Sequence, residues 1–221
     1  MNKNIFLIIS LLLSTNLFLY PAEDSTEPIG GNWAEESKIS EPPNQQHPDE
    51  KLIDAAKEGN LKNVELLLQA GADANAACEY GSQALIWACQ YGHAAVVEKL
   101  LEFGANVNAS NRHGSTALEK ASYCGHAAVV EKLLEFGANV NPPNRQGDTA
   151  LVKASCCGHA AVVEKLLKAG AGVDTRTLCG PTALIVASNS GHTTVVEKLL
   201  KAGAGVDVRT MYNSTALIVA S

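Results

Sequence analysis

The fold class this sequence predicts is all-α, a solenoid of stacked helix-turn-helix units with projecting β-turn loops, and three observations carry it. The stretch G-H-A-A-V-V-E-K-L-L-E-F-G-A-N-V-N occupies residues 92–108 and again 125–141, and close variants start at Gly158 and Gly191. Those glycines, together with Gly59, recur every 33 residues, a period that marks one small supersecondary unit stacked several times. Alanine and leucine are abundant while aromatic residues make up only 5% of the chain, as close helix packing requires. In such a stack each unit buries apolar surface against its neighbours, so the core grows with repeat number.

Along the chain, Lys3 precedes an apolar run over 5–13 broken only by Ser10, and Ser14, Thr15 and Asn16 separate it from 17–20. A basic start with a short apolar run reads as a secretory signal, too short and too interrupted for a membrane span. Ala22 offers a last residue for cleavage, but Tyr20 fits the small-x-small pattern poorly. Residues 1–22 are therefore read as a signal peptide, with an uncleaved N-terminal anchor as the alternative. Residues 23–48 are rich in Pro, Glu, Ser, Asn and Gln without helical or strand periodicity, the composition of a disordered acidic linker. Trp33 is its only large aromatic residue, a docking point or an incidental linker residue.

Of the net charge of −6, the segment 23–50 carries −7, eight acidic residues against the lone Lys38, which leaves the remainder close to neutral. Residues 150–221 hold seven Lys or Arg against four Asp or Glu. A gradient this mild steers a partner but leaves no nucleic-acid footprint.

The repeat domain is placed at 49–221, five helix pairs plus an incomplete sixth. Its first pair, 51–70, is more polar than the rest through Lys57, Glu58 and Lys62, which suits a terminal cap. In the unit 115–141, Thr116 is placed to cap a short first helix and Gly125 to end it in the left-handed conformation. His126 opens a second helix whose Val129, Val130, Leu133 and Leu134 share one stripe, and Gly137 ends it. On these second helices Glu98 with Glu102, and Glu131 with Glu135, are repulsive i,i+4 pairs, whereas Glu164 with Lys168 and Glu197 with Lys201 attract. The chain stops after 215–221 begin another first helix, which suggests a truncated reading frame, or an open end that self-associates.

The unit resembles an ankyrin repeat, whose pattern runs G-x-T-P-L-x-x-A-x-x-G-H-x-x-V-V-x-x-L-L-x-x-G-A-x-V-N, and the resemblance spans 49–221. Ala84, Ala117, Ala150, Ala183 and Ala216 stand where the family has Pro, and the His of T-P-L-H is absent throughout. The loss of Pro softens each helix start without changing the fold.

Candidate chemistry is sparse. His93, His126, His159 and His192 form a column whose members lie about one helix spacing, roughly 10 Å, apart, several times a metal–ligand bond. A hydrogen bond that stabilises the turn is the role their G-H context implies. Cys124 and Cys157 occupy equivalent sites too distant for a disulfide, Cys156 and Cys157 are helix neighbours, and Cys78 and Cys179 lie in separate turns. No disulfide framework follows, Cys89 reads as a small core residue, and a reducing final compartment such as a host cytosol suits the thiols better. No four-ligand zinc set and no hydrolase, Walker-type or dinucleotide motif occurs, so catalytic, metal and cofactor sites are assigned to no residue.

Partners of the resembling family contact the concave side formed by turn tips and first helices. The corresponding positions are Glu79, Tyr80, Gln90 and Tyr91; Arg112, His113, Tyr123 and Cys124; Arg145, Gln146, Asp148 and Cys156; Leu178, Cys179, Asn189 and Ser190; and Met211 and Tyr212 at the last turn. Tyr80, Trp87, Tyr91 and Tyr123 concentrate aromatic surface early in the array, and Arg112 and Arg145 lie one repeat apart, the residue types of binding hot spots. The other reading packs Trp87 between helices and leaves the tyrosines as ordinary surface.

The expectation is an exported, non-enzymatic scaffold of bacterial, host-associated origin that binds a protein partner, with no cofactor, nucleic acid or small-molecule substrate. A membrane enters only through an uncleaved N-terminal segment. The alternatives are a periplasmic or membrane-tethered protective or inhibitory binding protein, and a small hydrolase or metal protein built on the Cys and His columns.

Overall fold

The computed structural model describes residues 47–178, 180–209 and 215–216. The signal or anchor, nearly all of the linker with Trp33, and Cys179, Met211 and Tyr212 lie outside the described residues. Five helix pairs are present among them: α1 (Pro48–Glu58) with α2 (Leu61–Gln69), α3 (Ala84–Tyr91) with α4 (Ala94–Glu102), α5 (Ala117–Cys124) with α6 (Ala127–Glu135), α7 (Ala150–Cys156) with α8 (Ala160–Lys168), and α9 (Ala183–Asn189) with α10 (Thr193–Lys201). Pro48, expected in the linker, is instead the first residue of α1, where its missing N–H costs nothing and Asp49 and Glu50 favour the positive end of the helix dipole. Thr116 and Thr149 cap α5 and α7 through their hydroxyls, and Gly125 ends α5 at φ +80°.

First helices pack on first helices and second on second, so the chain is an all-α solenoid. The core is a set of columns with the repeat period. Leu85, Leu118, Leu151 and Leu184 form one fully buried row, and Ala88, Ala121, Ala154 and Ala187 let adjacent first helices approach closely. Val97, Val130 and Val163 with Leu100, Leu133, Leu166 and Leu199 fill the space between the two helix layers. Each such leucine is worth about 2–5 kcal/mol against alanine.

Three polar ladders tie each repeat to the next, and their spacings differ from the repeat period. In the first, Asn75, Asn108 and Asn141 accept the backbone N–H of the residue 31 positions on (Asn106, Asn139 and Gly172) at 2.7, 2.8 and 2.8 Å, and donate to the carbonyls of Gly104, Gly137 and Gly170. Asp174 makes the accepting half alone, from the Gly205 N–H, and Asp49 accepts from the Asp73 N–H across a shorter spacing of 24. In the second, Lys99, Lys132, Lys165 and Lys198 reach back to Glu65, Glu98, Glu131 and Glu164 of the preceding repeat at 3.6, 2.9, 3.0 and 2.6 Å. The i,i+4 repulsions expected on α4 and α6 are thereby offset, because Lys99 and Lys132 also hold Glu102 and Glu135. Glu164 gains both Lys168 and Lys198, whose hydrogen bonds and charges lower its carboxyl to about 2.

The histidine column makes the third ladder, and the bond crosses repeats rather than closing a turn. Nε2–H of His93, His126, His159 and His192 donates to the carbonyl of Lys57, Gln90, Tyr123 and Cys156, all near 3.0 Å, satisfying a first-helix carbonyl that has no partner of its own. Each ring also lies over the helix-ending glycine of the preceding repeat, 34 residues earlier, as His93 does over Gly59. A Cβ on Gly59, Gly92, Gly125 or Gly158 would sit 2.5–2.7 Å from the imidazole.

Candidate interaction face

The turn loops build the face. In the loops holding His113 and Gln146, Asn111 and Asn144 fold their side-chain oxygens back onto backbone N–H groups, of His113 and Ser115 in one and of Gln146 and Asp148 in the other, at 2.9–3.1 Å. Extended arms meet at the bridges Ala77 to Gln83 and Ser110 to Thr116. The tips are then joined across repeats: Arg112 N–H donates to the Tyr80 carbonyl at 3.2 Å, Arg145 to His113 at 3.1 Å, and Leu178 to Gln146 at 3.2 Å. The contact is close enough that a Cβ on Gly147 would stand 2.5 Å from the Leu178 nitrogen. One hydrogen-bonded strip thus brings together Tyr80, Arg112, His113, Arg145, Gln146 and Leu178, with Glu79 exposed at its N-terminal end.

The first helices supply the floor. Tyr91 and Tyr123 are about half exposed and Tyr80 and Leu178 two-thirds exposed, so these side chains are open to a partner. Trp87 is not: it packs against the core, stacks on Tyr91 with ring centroids 6.2 Å apart, and carries the Lys57 ammonium 5.1 Å above its ring. Asp148 is also removed from the free surface, because Lys153 holds it at 2.7 Å. Gln90 is half-buried and serves the stack through its carbonyl, which accepts from His126.

Between these elements runs a shallow cleft of about 330 Å³ lined by His113, Tyr123, Glu119, Lys120, Gln146 and Lys153. Glu119, Lys120 and Lys153 were absent from the residues picked by sequence. Glu119 is 6% exposed, yet it stands in the column of Ile86, Val152 and Ile185. Burial raises its carboxyl above the usual range, opposed by hydrogen bonds from Asn144 Nδ2 at 3.0 Å and Ser115 Oγ at 3.3 Å and by the charges of Lys153 and Lys120. An acid in an apolar column was the signal that would have found it. A second, larger cleft of about 710 Å³ at the N-terminal end is bordered by Asp49, Glu50, Asp54 and Glu79 together with Lys57 and Arg112.

Cys78, Cys89, Cys124, Cys156 and Cys157 are free thiols. Burial pushes the Cys89 thiol far up, and desolvation raises Cys124 and Cys157 more modestly, the opposite of an activated nucleophile. Among the described residues no group of three or more His, Cys, Asp or Glu is arranged to hold a metal ion, and no helix is long and apolar enough to cross a membrane.

The profile of a family described as ankyrin repeats (3 copies) matches residues 52–144, 113–177 and 151–221. No curated protein matches the chain.

Proposed function

This chain belongs to the ankyrin-repeat family, and we propose from that premise that it is an exported, non-catalytic scaffold that binds a partner protein through its turn tips and first helices. Domains of this family are typically binding modules without catalysis. The observation that carries the placement of the site is the backbone bonding of successive tips, Arg112 to Tyr80, Arg145 to His113 and Leu178 to Gln146. It holds exposed aromatic and Arg side chains in fixed register on a rigid support, the condition under which such residues contribute most to binding. The second-helix face, in contrast, is occupied by its own Lys–Glu ladder.

Affinity capture with the full chain, followed by mass spectrometry, identifies the partner. The variant Y80A/Y91A/R112A then loses capture at unchanged helicity; retention of the partner by that variant sinks the assignment. Export rests on the basic, apolar N-terminal segment, and N-terminal sequencing of the protein recovered from cell fractions tests it. A mature chain starting near Glu23 supports export, whereas a chain that retains residues 1–22 in a membrane fraction supports the tethered alternative.

A further inference from the structure

We infer that the partner presents an acidic, extended peptide segment to the middle of this face, with its carboxylates on Arg112, Lys120 and Arg145. The inference rests on the proposed interface and names the chemistry that fills it. Its first support is the contrast between the two faces. On the second helices Lys99, Lys132, Lys165, Lys168 and Lys198 each hold a glutamate and, among the described residues, only Lys62 and Lys201 on the first and last of them hold none, whereas Arg112, Lys120 and Arg145 on the opposite face all have no carboxylate within 4 Å.

The second support is how little negative charge remains on the C-terminal side of Arg112. Asp148 is neutralised by Lys153 at 2.7 Å, and Glu119 lies under the surface, engaged by Ser115 and Asn144. On its N-terminal side Arg112 borders the cleft that also holds Asp49, Glu50, Asp54 and Glu79, so the outward cationic stretch runs from Arg112 toward Lys120 and Arg145, in a chain that as a whole is acidic at −6. The third is preorganisation. The Arg112 stem rests 3.2 Å from where a Gly81 Cβ would stand and the Arg145 stem 3.5 Å from that of Gly114, so both side chains start from the same packing against the preceding tip. Those two tips are one repeat, roughly 10 Å, apart along a bonded strip, a spacing that an extended chain covers in about three residues. Tyr80 and Tyr123 flank the cations and add apolar contact.

Fluorescence anisotropy with the full chain tests this directly, using fluorescein-labelled peptides of four Glu-Ala-Tyr or four Lys-Ala-Tyr units and a labelled 12-residue oligothymidine at low salt. The Glu peptide is expected to bind at least tenfold more tightly than the Lys peptide and the oligonucleotide. R112E/K120E/R145E is expected to lose at least tenfold of that affinity, while K62E/K168E/K201E, with the same change in net charge, keeps it. If the charge reversals reduce helicity, R112Q/K120Q/R145Q takes their place with the same expectation. Equal binding of the two peptides, equal loss in both triple variants, or oligonucleotide binding as tight as that of the Glu peptide overturns the inference. Should Y80A/Y91A/R112A lose its captured partner while the two peptides bind alike, the interface stands and the acidic segment falls.

Discussion

Two glycines of one repeat offer a controlled comparison of what the histidine ladder is worth. Gly125 and Gly137 both end helices, at φ +80° and +81°, so alanine at either incurs the same left-handed strain, about 1–2 kcal/mol. Their surroundings differ completely. A Cβ on Gly137 meets nothing within 4 Å, whereas one on Gly125 stands 2.6 Å from the imidazole of His159. The ring must move, and with it goes the 3.0 Å bond from Nε2 to the Tyr123 carbonyl. An intramolecular hydrogen bond is worth about 1 kcal/mol net, and a carbonyl left without a partner costs about 1–3 kcal/mol. G137A should therefore cost about 1–2 kcal/mol and G125A about 2–4 kcal/mol. Urea denaturation followed by far-ultraviolet circular dichroism reads both as shifts in midpoint. The cycle with H159A isolates the cause: once the ring is gone, G125A should fall to the cost of G137A, leaving a coupling of about 1–2 kcal/mol. Equal costs for the two glycines, or an additive cycle, would refute the role assigned to the ladder.

Three further outcomes follow from the other ladders and the buried acid. N108D keeps the acceptor for the Asn139 N–H but loses the donor to the Gly137 carbonyl, so it should cost less than N108A, about 0.5–1 against about 1–3 kcal/mol in urea melts. Glu119 has a raised carboxyl in the folded state, so the folded chain holds its proton longer than the unfolded chain does, and stability falls as pH rises from the ordinary glutamate value through the folded one. E119Q should be more stable than the parent at pH 7 and should lose that part of the slope, as thermal melts across pH 4–8 will show; an unchanged slope contradicts the assignment. K198M removes one of the two cations on Glu164, so the carboxyl titration followed by NMR should rise from about 2 toward the usual glutamate range, whereas K201M should leave it in place.

Helices, their ends and the packed columns were legible because packing repeats with the chain. Leu118 is buried for the same reason as Leu85 and Leu151, and a period of 33 announces that equivalence. The ladders were not legible, since a period says which residues are alike and not which neighbours touch. Lys132 meets Glu98 at a spacing of 34, and His126 meets Gln90 at 36, offsets created by the geometry of stacking. The same limit applies at the site. Residues that vary between repeats are free of the repeat's own packing, and Tyr80, Tyr91, Tyr123 and Arg112 are indeed exposed. Asp148 also varies, yet it is held by Lys153, five residues along the same chain, and Trp87 varies while still packing on the core. Glu119 escapes the reasoning from variable positions for the opposite reason: its departure from the repeat lies within an apolar column and not at a turn tip or helix end.

The fixed offsets of the three ladders bear on how such a chain changes size. Every link of a ladder joins the same two columns in adjacent repeats, so excising residues 93–125 leaves His126 where His93 stood, facing the Lys57 carbonyl, and Lys132 where Lys99 stood, facing Glu65. Insertion of a copy restores every link in the same way. Array length is therefore a quantity that unequal recombination between near-identical segments can add to or subtract from in whole steps, while each intermediate remains a foldable protein with a shorter or longer face.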